Sequence, residues 1–242
     1  MILVLCEAFD AAAYWAASGL QNRTGTVMIV TANDLDGAAR WEHRVSRTGA
    51  ATVEVTLADG RVVSSATPAG VLNRLGYVPT DRLDRLGSPD RDYAMQEMNA
   101  LYLSWLHGLP GPMLNRPKPQ GLGGMWRHPA AWAMMAGQAG LAIAPYHHSC
   151  RTDPAAAWAP PHHASTVTVF AVGGRTIASS PVPPRVRAGC IRLAGLAGEG
   201  LLGVDLMEQA GKRWVATGAS PRPDLTAGGD ALLDALQEAL TP

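Results

Sequence analysis

"RWVATGASPRPDL", residues 213–225, reads as a strand that runs into a loop punctuated by Pro221 and Pro223. Its partner lies just upstream: "LLGVDLMEQ" (201–209) is a second strand, and "AG" (210–211) joins the two. Before it, "RAGCIRLAGLAGEG" (187–200) has helical spacing at Ile191 and Leu196, with glycine near its end. Earlier still, "TVTVFAVGGRTIASS" (166–180) alternates on both sides of Gly173-Gly174, the signature of a hairpin. Downstream, "GDALLDALQEAL" (229–240) is a closing amphipathic helix. Strands near 202–217, a hairpin at 167–179 and a helix near 188–197 predict an α+β unit.

The first half has a different order. "MILVLCE" (1–7) and "TGTVMIVTA" (24–32) are short apolar runs suited to buried strands, and "FDAAAYWAASGL" (9–20) between them is a helix closed by Gly19. Strand, helix, strand predicts α/β. "ATVEVTLADGRVVSS" (51–65) alternates around Asp59-Gly60, the dipeptide of a type I′ turn. Ser88 is placed to cap, and Pro89 to open, a helix whose Ala94, Met98, Leu101 and Trp105 share one face. Acids at Asp90, Asp92 and Glu97 suit the positive end of its dipole. A Gly/Pro-rich connector (109–124) leads to a helix from Pro129 to near Gly140. The expected domains are 1–112, α/β, and 113–242, α+β. "VLNRL" (71–75) and "MLNRP" (113–117) share Leu-Asn-Arg, which fits chance or parallel strand ends better than a repeat.

Twenty basic and twenty acidic residues among 242 leave no field that would attract nucleic acid or anionic lipid. Three cysteines, spread over the chain, do not form the framework of a small secreted domain. The apolar N-terminus lacks a basic region and carries Glu7 and Asp10 early, and no run reaches the length of a membrane span. The expectation is a cytoplasmic protein with no nucleic-acid or membrane partner.

The order of the second half carries a resemblance. An Asn-Arg-Pro segment (115–117), a helix ending "AGLAIAP" (139–145), a hairpin, a helix, "GVDL" (203–206), then a strand and "SPRPDL" (220–225) together resemble an ATP-grasp ligase of the glutamate-ligase type over about residues 110–240. The first half resembles the α/β domain that precedes ATP-grasp. The resemblance implies an Asp, then a Glu and an Asn two residues apart just before Ser-Pro, holding the magnesium ions of ATP. Asp205 matches the first, but Thr217 and Ala219 stand where Glu and Asn belong. The family also places a subdomain with two nucleotide-clamping lysines after the "AGL" helix. Only "YHHSCRTDPAAAWAPPHHAS" (146–165) occupies that interval, and the two lysines of the chain, Lys118 and Lys212, lie elsewhere. No glycine-rich phosphate loop substitutes.

The resemblance therefore implies a shortened, degenerate ATP-grasp-like protein, with no cofactor expected. Its role would be a non-catalytic binding or accessory subunit for a small carboxylate, a peptide or a partner enzyme. The candidate ligand-binding residues are Arg74, Asn115, Arg116, Asp205 and Ser220. Arg74 and Arg116 can present guanidinium forks to a carboxylate or phosphate, or can tie loops together. The alternative is an active ATP-dependent carboxylate–amine ligase using ATP and magnesium, with its site completed by a partner subunit. A shortened fold should also leave a sheet face uncovered, predicting a homodimer or a heterologous protein partner.

A further constellation stands apart. His147, His148, Cys150, His162 and His163 put five ligands suited to zinc or copper within 17 residues, in a spacing that matches no common structural zinc pattern. They support a third reading, a metal-binding accessory protein. Cys150 beside a histidine can also be read as a nucleophile pair.

Overall fold

The structure is a computed structural model that describes residues 1–49, 51–144 and 166–241. His147, His148, Cys150, His162 and His163 lie outside the described residues. The chain forms two compact units, one of Met1–Met125 with Leu233–Pro242, the other of Trp126–Leu232. No helix among the described residues is long and apolar enough to cross a membrane.

The first unit is built on β1 (Ile2–Cys6), α1 (Ala11–Thr24), β2 (Val27–Thr31), α2 (Ala32–Asp36), β3 (Arg40–Val45), β4 (Ala51–Thr56), β5 (Val62–Ser64), β6 (Gly70–Asn73), α3 (Ser88–Gly108) and β7 (Met113–Leu114). Strands β2-β1-β6-β7 form a parallel sheet, and β3-β4-β5 an antiparallel meander. β1 is apolar at every position because it is buried along its whole length. Its core joins Leu3, Leu5, Val53, Val55, Val71 and, from α3, Tyr102, Trp105 and Leu106.

Several local expectations change here. α1 runs past Gly19 and closes at Gly25, whose φ is 77°. Gly19 lies inside the helix against Leu233, where a Cβ would lie 2.7 Å from the flexible Cδ2 of that side chain. The β4–β5 turn is not type I′, because only Gly60 takes a positive φ. Asp59 Oδ1 accepts from Arg61 N at 3.0 Å, and Gly60 N donates to Leu57 O. The result is a three-residue loop with glycine in the left-handed position. Gly87, not Ser88, caps α3, and its buried face is Tyr102, Trp105 and Leu106. Residues 113–114, assigned by sequence to the second domain, pair as β7 with β6.

The second unit contains α4 (Pro129–Gln138), β8 (Thr166–Val172), β9 (Arg175–Ala178), α5 (Pro184–Ala197), β10 (Leu201–Gln209), β11 (Arg213–Ser220) and the start of α6 (Gly229–Leu240). Its sheet is antiparallel, in the order β11-β10-β8-β9. Gly173 and Gly174 both take positive φ, 54° and 78°, as the β8–β9 hairpin requires. Alternate positions Leu202, Val204 and Leu206 of β10 pack with Cys190, Leu193 and Ala194 of α5. Ile191 and Leu196, the positions whose spacing marks α5 in the sequence, are the exposed ones. Among the described residues the expected uncovered sheet face is not found. Phe170, Met207 and Val215 are buried along with Val169, Leu206 and Ala216, and the exposed apolar side chains, such as Trp126, Met134 and Ile143, lie off these strands.

Cys6 and Cys190 are free and fully buried. Burial pushes both thiols up from 9.0 to about 12, with Asp10 adding to the effect at Cys6. The shift cuts the reactive thiolate by about a thousandfold. Below pH 9 both thiols are protonated folded or unfolded, so the shift has no effect on stability there; above it the unfolded chain ionises first and stability falls. We expect both residues to resist a thiol reagent at pH 8 and to be labelled only as fast as the chain unfolds. Prompt modification of either in folded protein, located by peptide mapping, would contradict this.

Candidate functional site

β10 and β11 set the geometry around Asp205. The register shifts between Asp205, opposite Gly218, and Leu206, opposite Ala216, so Thr217 is the extra residue of a bulge. Asp205 also sits opposite Thr168 of β8, whose Oγ1 donates to Asp205 Oδ1 at 2.7 Å. Thr217 Oγ1 donates to the main-chain oxygen of Asp205 at 3.2 Å. Ala219 is opposite Val204 and packs against the core cluster, so it points to the other face of the sheet from Asp205. Ser220 Oγ accepts from Arg222 N at 3.1 Å and starts the proline-rich turn. Among the described residues no three His, Cys, Asp or Glu side chains converge on one point.

This donor set does not fit the magnesium of a bound nucleotide. Magnesium is held by carboxylates together with phosphates, in near-octahedral oxygen geometry. One carboxylate already bonded to a threonine, a hydroxyl turned to the main chain and a methyl group do not supply it.

Beside Thr217 and Ala219 lies instead a hollow of about 200 Å³. α4 contributes Trp132, Ala133 and Ala136, α5 contributes Leu193, and β11 contributes residues 216–219. Among the described residues no charged side chain lines it, and Asp205 is not part of its wall. Arg127 lies over the opposite-end anchor of this wall, the Trp132 ring, at 5.0 Å, and is held by Glu199 at 3.2 Å and by Ala197 O.

In the first unit the two Leu-Asn-Arg triplets are the ends of neighbouring parallel strands, with Leu72 beside Leu114. Asn73 Nδ2 donates to Asn115 O at 3.0 Å and Leu122 O at 2.7 Å. Asn115 is buried at a φ of 61°. Arg74 forks onto Asp10, with Nε–Oδ2 2.7 Å and Nη2–Oδ1 3.0 Å. Arg116 is exposed and donates to Gly111 O. Thus Arg74 ties a loop to the start of α1, and Asp205 and Ser220 sit in the other unit. Past the ends of β6 and β7, against α3, is a hollow of about 460 Å³ lined in part by Tyr77, Asn99, Lys118 and Gln120. The crevice outside the carboxyl ends of parallel strands is where α/β folds place ligands. Sequence reading missed both hollows, because their walls come from segments far apart in the chain.

No protein-family model matches the sequence, and no curated protein matches it. The fold does match solved structures. Macrocyclase MdnC from Microcystis aeruginosa MRC, bound with precursor peptide MdnA, superposes with a TM-score of 0.69 at 10% identity, over 99% of this chain and 98% of that one. A RiPP-associated ATP-grasp ligase of Chryseobacterium gregarium, in complex with ADP and a leader and core peptide, gives 0.70 at 10% identity, over 99% and 96%. ATP-grasp ligase PsnB, with a phosphomimetic variant of its minimal precursor, Mg and ADP, gives 0.70 at 15% identity, over 98% of each chain. At these identities the likeness is one of fold: the chain has an ATP-grasp-like fold, with one parallel-sheet unit and one antiparallel-sheet unit.

Proposed function

We propose that this protein is a non-catalytic ATP-grasp-like subunit that binds a peptide or small carboxylate in the service of a partner enzyme, in the cytoplasm. The observation that carries the reading is the pair Thr217 and Ala219 at the positions where the fold's ligases are expected to hold metal, with Asp205 left as a lone carboxylate bonded to Thr168. A triphosphate brings several negative charges, and cations or metal must neutralise them. The side chains of Thr217 and Ala219 offer neither. The peptide side of the reading draws on the fold neighbours solved with precursor peptides, and on the hydrogen-bonding crevice that contains Lys118.

Calorimetric titration tests it. We expect no heat of binding from ATP with excess magnesium up to millimolar nucleotide, in protein whose circular dichroism shows it folded. A dissociation constant in the low micromolar range, abolished by Asp205→Ala, would replace this reading with that of an ATP-dependent ligase. The fold neighbours solved with ADP keep one such alternative specific: a ligase whose nucleotide site is completed by a partner subunit. Repeating the titration with proteins recovered by pull-down from the native cell separates the two, since only a completed site would bind nucleotide.

A further inference from the structure

We infer that the hollow between α4 and β11 is a binding site for a neutral apolar ring. The assignment rests on the non-catalytic reading above and adds a ligand class to it. A cavity of ~150 Å³ with apolar walls stays dry and takes up benzene. This one measures about 200 Å³, with room for one ring or a fused pair. Its walls are the indole of Trp132, the methyls of Ala133, Ala136 and Ala219, and Leu193. Of the polar groups of β11 beside it, Ala216 N donates to Ala142 O, Ala216 O accepts from Ala144 N, and the Thr217 hydroxyl donates to Asp205 O. An ion entering here would lose hydration with no charged side chain among the described lining residues to replace it, whereas an apolar ring loses only unfavourable contact with water. Arg127 lies over the Trp132 ring and is itself anchored by Glu199.

The ring can belong to a free small molecule or to an aromatic side chain of a bound peptide. Indole is the probe, followed through the methyl carbon signals of Ala136 and Leu193 in the full-length protein. The expected result is a saturable shift at low millimolar indole or below. Ala133→Leu, which fills the hollow from α4, should weaken it about tenfold or more by removing the space. Thr217→Glu, on the exposed bulge, should do the same by bringing a charge to the wall. Should the first variant not fold, the second carries the test. A capped Gly-Gly-Trp-Gly-Gly peptide that displaces indole assigns the ring to a peptide side chain; indole binding that the peptide leaves untouched assigns it to a small molecule. No shift with indole, or shifts that persist in both variants, overturns the assignment. Failure of both indole and magnesium–ATP to bind removes this inference alone, while displacement of indole by magnesium–ATP removes the non-catalytic reading on which it rests.

Discussion

Arg74→Ala should lower the stability of the first unit by about 3–5 kcal/mol, the range for breaking a buried ion pair by removing one partner. The two N–H groups of Arg74 meet both oxygens of Asp10, and the side chains are only 5% and 13% exposed. Truncation strands a carboxylate that water reaches poorly. Asp10 retains one use, as its Oδ1 caps α1 through Ala13 N at 3.0 Å. That bond places the loss toward the lower end of the range. Arg74→Lys keeps the charge but not the fork, and should recover part of the loss. Asp10→Ser with Arg74→Leu keeps a capping oxygen and removes both charges, and should recover most of it. Urea unfolding of the three variants decides the matter. If Arg74→Ala costs under about 1 kcal/mol, the guanidinium is not committed to Asp10 in solution, and its role as a ligand-binding residue returns.

The sequence shows which elements exist better than it shows what they face. β1 and the β8–β9 hairpin are legible because their signals are local: an unbroken apolar run and a Gly-Gly pair that both take positive φ. β3 is not, because "RWEHRV" carries four charged or titratable residues and becomes a strand by pairing with β4 across Trp41–Val55 and His43–Val53. The inner face of α5 is hidden for another reason. It combines Val186 and Leu193 with the small residues Gly189, Cys190, Ala194 and Ala197, while the equally apolar Ile191 and Leu196 remain outside. At the site, residue identities are readable in the sequence, but the directions of their side chains are not. A single register shift after Asp205 decides that Thr217 is extra and that Ala219 turns to the core. A bulge of this kind leaves no mark in side-chain pattern. Nor does alanine at positions 133, 136, 216 and 219 announce a hollow, since the space exists only once α4 lies beside β11.

Gly70→Ala should be among the most damaging single changes in the chain, and Gly19→Ala, which looks similar on paper, should be nearly harmless. At Gly70, the first residue of β6 and the partner of Ile2 on β1, an added Cβ would overlap the carbonyl oxygen of Leu240. It would also lie 2.8 Å from the carbonyl carbon and 2.9 Å from the Cα of that residue. All three atoms are backbone at the end of α6, so no rotamer change relieves them. Either the last turn of α6 or the buried edge of β6 must shift. Overpacking in a rigid place costs about 1–3 kcal/mol or more, and the ~0.5–1 kcal/mol that alanine regains over glycine in backbone entropy does not cancel it. A loss of about 3 kcal/mol is expected. At Gly19 the obstructing atoms are the ends of one side chain, Leu233 Cδ1 and Cδ2, which can turn aside. The position is interior to α1, where alanine is favoured over glycine by ~1 kcal/mol. The two effects nearly cancel, leaving a change within about 1 kcal/mol of zero. Urea midpoints of the two variants, with amide exchange at Leu240 as a local probe, make the comparison. A Gly70→Ala variant as stable as Gly19→Ala would mean that the C-terminal segment Leu233–Pro242 is not packed on β6, and that the first unit ends without it.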